Sequence, residues 1–495
     1  MLLASSVLLS RVLGYARDAL VAARFGAGRD TDVYYAAFTL PDLMSYLLAG
    51  GALSLTFLPL FTRRYAEEPE RAWRTLGVIA TTMGLVVSLA IALTWVLAPW
   101  IVPWAFPGFD AVACAETVRL TRIVLPAQLA FYLGGLASAA VLSRERFLAV
   151  ALAPLVYNVL IIAGGLALGG VLGIAGFSVG ALVGAFVGPF GLVLLAARRG
   201  GLRLYPRLSF RDADLRQFVV RSFPVMLGVS LITVDEWLCR YFASGLAEGT
   251  ITWLQNARRL MLVPVAVLGQ AAGQAALPFL SRLVAENRHD EAGRVLGQSM
   301  AVVTYATLLA GALLWALAVP SVALLYQHGA YTAEDAAATA AALRWLALGV
   351  AFWALQSLAA RGFYATEDTW TPVLLSTTVT ILSIPMYAWL AQRSQHEGLA
   401  LATTLGVGAT ALVTALLVRR RLPIAIGPLL WSMSRSALIA LLSALAVTVI
   451  DARLVTQSPL LRLVAGTLTF VAVAGLASWL AKAPELRAFT GRLKG

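Results

Sequence analysis

The stretch LAVALAPLVYNVLIIAGGLALGGVLGIAGFSVGALVGAFVGPFGLVLLAA, residues 148–197, contains no charged side chain and stops against Arg198 and Arg199. A hydrocarbon core of about 30 Å takes roughly 20 apolar residues per helical crossing. The stretch therefore reads as two crossings back to back, near 147–170 and 172–197. Working outward on the same criterion, further apolar segments fall near 2–24, 33–60, 75–97, 118–142, 217–244, 250–281, 296–325, 338–363, 370–391, 398–418, 429–450 and 460–481. The expectation is an all-α integral membrane protein with fourteen transmembrane helices.

Composition agrees. The 495 residues are 60% hydrophobic and 13% charged, with a mean hydropathy of +0.81, whereas soluble domains sit near about 45–50% apolar and about 25% charged. A soluble enzyme is excluded. The first apolar segment is interrupted by Arg11, Arg17 and Asp18 and has no small-residue cleavage site, so it is expected to stay as the first membrane helix. Cys114 and Cys239 are far apart and in no CxxC, and His289, His328 and His396 fall in polar connections. Neither a disulfide scaffold nor a metal site is expected, and no cofactor.

The net charge of +13 is spread over short alternate loops and forms no single soluble face, so nucleic acid is not an expected partner. After even-numbered helices come Arg63, Arg64, Arg71 and Arg74, then Arg144 and Arg146, then the arginines between 198 and 216, then Arg282, Arg288 and Arg294, then Arg419 to Arg421. The other side has chiefly Arg29, Arg393 and Arg453. By the positive-inside rule the even-numbered loops are cytoplasmic, and fourteen crossings put both termini there, in agreement with the basic tail of Lys482, Arg487, Arg492 and Lys494.

An internal repeat is visible. LPLFTRR begins at Leu58 and LPFLSRL at Leu277, 219 residues later. Ser138 precedes Ser357 by 219 residues and Pro154 precedes Pro372 by 218. Six helices per copy is an even number, so the copies are parallel repeats, an arrangement typical of transporters with a central cavity. The expected organisation is an N-lobe over 1–216, a C-lobe over 217–424, and two extra helices with a basic tail over 425–495.

Charges inside the crossings point to that cavity, because an Arg or Asp at a helix centre costs about 2.5–3.5 kcal/mol against lipid. Helix one carries Arg11, Arg17, Asp18 and Arg24. Arg11 and Asp18, seven residues apart, are nearly eclipsed, with Arg17 about 100° away. Arg24 lies close enough to the helix end to reach the headgroups, whereas Arg11, Arg17 and Arg259 lie too deep for that. Arg258 and Arg259 stand mid-helix before Pro264, and Pro41 beside Asp42 interrupts helix two. Glu236 and Arg240 are spaced i,i+4 as a structural pair, while Asp235 has no opposite charge at helical spacing. An arginine-lined cavity selects anions, and the planar guanidinium fork favours phosphate.

The opening SRVLGYARDALVAARFGAGRDTDVYYAAFTLPDL, residues 10–43, closely resembles the N-terminal signature of the MurJ (MviN) lipid II flippases of the multidrug/oligosaccharidyl-lipid/polysaccharide exporter superfamily. ARRLMLVPVAVLGQAAGQAALP, residues 257–278, resembles that family's pattern in helix eight. The resemblance implies two six-helix lobes around a central cationic cavity, with helices 13 and 14 forming a groove for the lipid tail. It implies that Arg11, Arg17 and Arg259 bind substrate, with acidic positions at Asp18 and Asp32. It departs in helix two, where DLMSYLLAGG, residues 42–51, puts Ser45 and Tyr46 in place of a basic pair and Gly50 in place of Glu. Arg258, where the family commonly has Asp, offers a replacement charge.

The function expected is a flippase moving lipid II, an undecaprenyl-diphosphate-linked peptidoglycan precursor, to the outer leaflet of the bacterial cytoplasmic membrane by alternating access. The alternative is another polyprenyl-diphosphate-linked oligosaccharide as cargo. A membrane glycosyltransferase using Asp30 and Asp32 as a DxD is a weaker reading, because no outer loop is long enough for a catalytic domain. Asp32 then reads as a cap for helix two or a gate residue. For a coupling ion, Ser376, Thr377, Thr378 and Thr380 offer oxygens, and Asp235 and Glu236 are the acidic candidates. Membrane lipids and cell-wall synthesis proteins are the expected partners of a monomeric chain.

Overall fold

The computed structural model describes residues 2–49, 56–144, 146–232 and 234–486, and among them every regular element is a helix. Gly50, where the resemblance expects glutamate, lies outside the described residues, as do Arg487, Arg492 and Lys494. The chain divides into two compact units, Met1–Ile251 and Thr252–Gly495.

The first unit opens with α1 (Leu2–Phe25), α2 (Arg29–Ala37), α3 (Thr39–Ala49) and α4 (Leu58–Glu67). The 37-residue α5 (Pro69–Ala105) follows, then α6 (Ala111–Val124), α7 (Ala127–Leu142), α8 (Leu148–Leu172), α9 (Ala175–Ala185) and α10 (Val193–Arg199). A π-helical turn at Phe186–Leu192, centred on Pro189, joins α9 to α10. Proline removes a backbone donor, and the wider turn is one way a membrane helix absorbs the loss. α11 (Ala213–Ile232) and α12 (Val234–Ala243) complete this unit. Its core gathers Phe57, Phe61, Trp73, Ile79, Tyr132, Leu136 and Phe218 from α4, α5, α7, α11 and the residue before α4.

The second unit follows from α13 (Thr250–Pro264), which passes through a π-helical turn at Val265–Gln270 into α14 (Ala271–Ala285). Then come α15 (His289–Ala316), α16 (Ala318–Tyr326), α17 (Ala333–Leu348), α18 (Val350–Ala365), α19 (Trp370–Val418), α20 (Ile426–Arg453) and α21 (Pro459–Leu480). α19 is broken at Ser394 and Gln395, where the backbone leaves helical angles. One core holds Leu280, Leu296, Met300, Leu355, Leu358 and Phe363. A second packs α20 and α21 onto α15 and α16 through Tyr305, Leu317, Val447 and Phe470, with the Tyr305 and Ser478 hydroxyls 2.8 Å apart. Arg462 closes the α20–α21 turn on Asp451 through two hydrogen bonds of 2.8 and 2.7 Å.

Among the described residues, ten helices are long and apolar enough to cross a membrane. The expected count of fourteen exceeds this for identifiable reasons. α1 carries four charges, helix two is divided and partly outside the described residues, and 217–244 is split between α11 and α12. α19 merges the two segments expected at 370–391 and 398–418.

Each unit clips an extended strap along its long helix. In the first, a Cβ at Gly77 of α5 would collide with the backbone of Tyr205, and Ser209 donates its N–H to Thr82 at 3.1 Å. In the second, a Cβ at Gly293 of α15 would collide with the backbone of Pro423. Only glycine admits a backbone at that distance.

Candidate functional site

In the first unit the charges of helix one are arranged largely by one helix pair. α1 lies along α8, held by polar contacts at successive levels. The Ser6 hydroxyl donates to the Ala151 carbonyl, Asn158 Nδ2 to Ser10 Oγ at 3.2 Å, Arg17 Nη1 to Asn158 Oδ1 at 3.2 Å, and Arg24 Nη1 to the Gly165 carbonyl at 3.0 Å. Later residues of α1 meet later residues of α8, so the two helices run in the same direction. Interhelical hydrogen bonds of this kind are worth about 0.6–2 kcal/mol each in a bilayer.

Arg17 also donates from Nε to Asp18 Oδ1 at 3.0 Å. Asp18 is 1% exposed and the Arg17 side chain 14%. On the unbroken α1 the seven-residue spacing keeps Arg11 and Asp18 on one face, with Arg17 about 100° away around the helix. Asp18 is buried and bonded to Arg17, and Arg11 is exposed. The arginine side chain is long enough to close the 100° between neighbours on a helix, which a wheel of Cα positions does not register. Arg24 is exposed and reaches backbone carbonyls of α8.

Helix two places Ser45 on α3, where its hydroxyl donates to Gln128 Oε1 at the start of α7. Asp32 sits inside α2, 5% exposed, and accepts the N–H of Gly249, the residue before α13, at 2.7 Å. Asp32 is thus not the cap of its own helix. Thr31 performs that task, accepting the Gly28 N–H at 3.0 Å. Arg29 pairs with Asp110, and these residues with Asp32, Ser244 and Glu248 line a cavity of about 140 Å³.

On α12, Asp235 is buried. Glu236 pairs with Arg240 at 2.5 Å, and Arg240 reaches Thr39 Oγ1 at 2.8 Å, tying α12 to the start of α3. The i,i+4 pair expected from spacing is present in that geometry.

In the second unit, Arg258 and Arg259 are half-buried on α13, and the Arg258 guanidinium lies 5.9 Å from the Trp353 ring centroid on α18, within cation–π range. The hydroxyls expected as ion ligands divide by role. Thr377 donates to its own helix at Val373, 2.9 Å away, and Ser376 is buried.

Asn158, Gln128 and Thr39 are polar residues of these networks that sequence reasoning passed over. For Asn158 a signal existed, since it is the one side-chain amide in residues 148–197.

Where the end of α4 meets the starts of α5 and α11, Arg64 donates to Asp214 at 2.7 Å and Thr75 to the same carboxylate at 2.6 Å. Burial pushes the Asp214 carboxyl up, but the hydrogen bonds from Thr75 and Arg64 and the charges of Arg64 and Arg71 outweigh it and hold it below the usual aspartate range.

A family model described as lipid II flippase MurJ matches residues 21–466. A protein of Rhizobium tropici named probable lipid II flippase MurJ is 29% identical over 460 residues, covering 88% of this chain and 83% of its own. A lipid II flippase MurJ of Burkholderia cenocepacia is also 29% identical, covering 84% and 82%. Among solved structures, a lipid II flippase MurJ in an inward closed conformation superposes with a TM-score of 0.81 at 21% identity, over 96% of this chain and 98% of that one. An inward-facing MATE-family multidrug transporter superposes with a TM-score of 0.70 at 13% identity, over 85% and 95%. These two likenesses are of fold.

Proposed function

Because the chain belongs to the lipid II flippase MurJ family, a family of transporters, we propose that it moves lipid II from the inner to the outer leaflet of the bacterial inner membrane by alternating access. The observation that carries this reading is the family match over most of the chain, joined to a guanidinium held deep in α1 by Asp18 and Asn158. Arg11, Arg17, Arg258 and Arg259 are read as the phosphate-binding positions. Asp18 holds Arg17 in place. Asp32, on the outer side, takes part in gating through Gly249. Asp235 and Glu236 are the acidic groups available for a coupling ion.

Fourteen crossings with both termini cytoplasmic, and a division into 1–216, 217–424 and 425–495, complete the reading. Two features support the parallel repeat. Helices α5, α6, α7 and α8 correspond in order to α15 with α16, α17, α18 and the start of α19, beginning at Pro69 and His289, and the straps at Gly77 and Gly293 recur 216 residues apart. The chain acts as a monomer alongside cell-wall synthesis proteins.

A second cargo, another polyprenyl-diphosphate-linked oligosaccharide, is favoured by one observation. Ser45 stands where the family resemblance expects arginine and spends its hydroxyl on Gln128. Genetic replacement decides between them. Depletion of a bacterium's own lipid II flippase, with this chain expressed instead, restores growth and outer-leaflet precursor if lipid II is the cargo. Growth arrest with the protein present in the membrane points to the other glycan.

A further inference from the structure

We infer that Asn158 is a positioning residue for the Arg17 guanidinium, fixing its orientation for a phosphate ligand; this rests on the reading of Arg17 as a substrate-binding residue. Asn158 is 7% exposed in the middle of a membrane helix, where an amide must find partners. It finds them on both sides. Nδ2 donates to the Pro154 carbonyl at 3.0 Å and to Ser10 Oγ at 3.2 Å, and Oδ1 accepts from Arg17 Nη1 at 3.2 Å. The Pro154 carbonyl can only accept and the guanidinium can only donate, so the amide has a single workable orientation. Pro154 and Asn158 are four residues apart on α8, which anchors the amide to its own helix before it reaches α1.

The consequence falls on Arg17. A guanidinium has five N–H donors. Asp18 takes the one on Nε and Asn158 one of those on Nη1. Two contacts at different atoms fix both the plane and the rotation of the group, and three donors remain, enough for a bidentate phosphate contact. Asp18 alone leaves the plane free to turn about the Nε contact. Ordering an arginine before the ligand arrives removes a cost that binding otherwise meets. Asn158 therefore acts on affinity for the phosphate-bearing ligand through Arg17.

The test is a double-mutant cycle on the full chain in proteoliposomes, with lipid II as the probe and both apparent KM and maximal rate measured. Asn158→Leu is expected to raise KM about tenfold with the maximal rate within about twofold, the pattern of lost ground-state binding. In an Arg17→Gln background, itself weakened, Asn158→Leu is expected to add nothing. Should the leucine variant fail to fold, Asn158→Ala carries the same cycle, raising KM only while Arg17 is present. Additive effects in the cycle, or an unchanged KM for the single Asn158 variants, overturn the positioning role while leaving Arg17 as a ligand. An unchanged KM for Arg17→Gln overturns both readings together.

Discussion

Arg64 and Asp214, 150 residues apart in sequence, meet at 2.7 Å with side chains 14% and 10% exposed, so the strap between α10 and α11 is fastened to α4 at the point where it re-enters a helix. Thr75 of α5 donates to the same carboxylate, and the three helices share one charge. Removing Asp214 leaves the Arg64 guanidinium without its carboxylate acceptor there. Asp214→Asn is expected to lower stability in detergent by about 2 kcal/mol, the scale of hydrogen bonds to charged groups, read as a fall in Tm.

The same pair sets a pH dependence. The Asp214 carboxyl titrates below the usual aspartate range in the folded chain, against about 3.9 unfolded. A depressed folded value stabilises fully above the unfolded one and is lost as pH falls through the folded one. The Tm difference between the parent and Asp214→Asn is therefore expected to hold from pH 7 down to about 4 and to shrink below it. A difference that grows as pH falls through that window counts against the assignment.

Arg11 and Arg17 are expected to answer differently to lysine. Arg17 serves two acceptors from two nitrogens, which a single ammonium cannot reproduce at the same place. Arg11 is exposed. In the complementation assay Arg17→Lys should fail while Arg11→Lys retains growth, and Arg11→Ala, Arg17→Ala and Arg259→Ala should each abolish it with expression intact. Full activity of all three alanine variants removes the phosphate role from these positions.

The crossings at 148–197 were legible because fifty residues without charge have one stable outcome in a bilayer, and α8, α9 and α10 occupy that stretch. Arg17 was legible as a charge that lipid would not tolerate. Its environment was not, since Asn158 lies 141 residues away and the register between two helices is no property of either one's periodicity. Asp32 shows the limit of a local rule. An aspartate in the first turn of a helix suggests a cap, yet the Thr31 hydroxyl accepts the Gly28 N–H, and the Asp32 carboxylate reaches Gly249, 217 residues on.

Ser45→Arg tests the departure in helix two. Ser45 is half-buried, and its acceptor, Gln128 Oε1, can take a guanidinium N–H in place of the hydroxyl. The variant is expected to fold and to lower the apparent KM for a diphosphate lipid. A folded but inactive variant shows that the space beside Ser45 serves another headgroup.

Topology is open to cysteine labelling. Reagents added outside the cell should modify cysteines placed beside Arg29 and Arg393 and spare those beside Arg203, Arg288 and Arg420. Outside labelling beside Arg203, in the strap packed on α5, overturns the orientation.

Transport is expected to depend on membrane potential. A diphosphate leaving an electrically negative cytoplasm moves anionic charge down the field, worth about 2.3 kcal/mol per charge for each 100 mV. The contacts of α1 with α8 bear on which step feels it. Arg17 is bonded to Asn158 and Arg24 to the carbonyl of Gly165, so these charges travel with the helix pair, not with the lipid alone. Where the arginines move outward with the cargo and compensate it, the loaded step is nearly neutral. The empty carrier then returns its positive charges inward, and an inside-negative potential pulls them that way. Either step is accelerated without a bound cation. Collapsing the potential with valinomycin and potassium at constant pH should slow arrival of precursor at the outer leaflet. An unchanged rate, with loss only when a proton or sodium gradient is removed, moves the driving force to ion coupling, with Asp235 and Glu236 as the first positions to substitute.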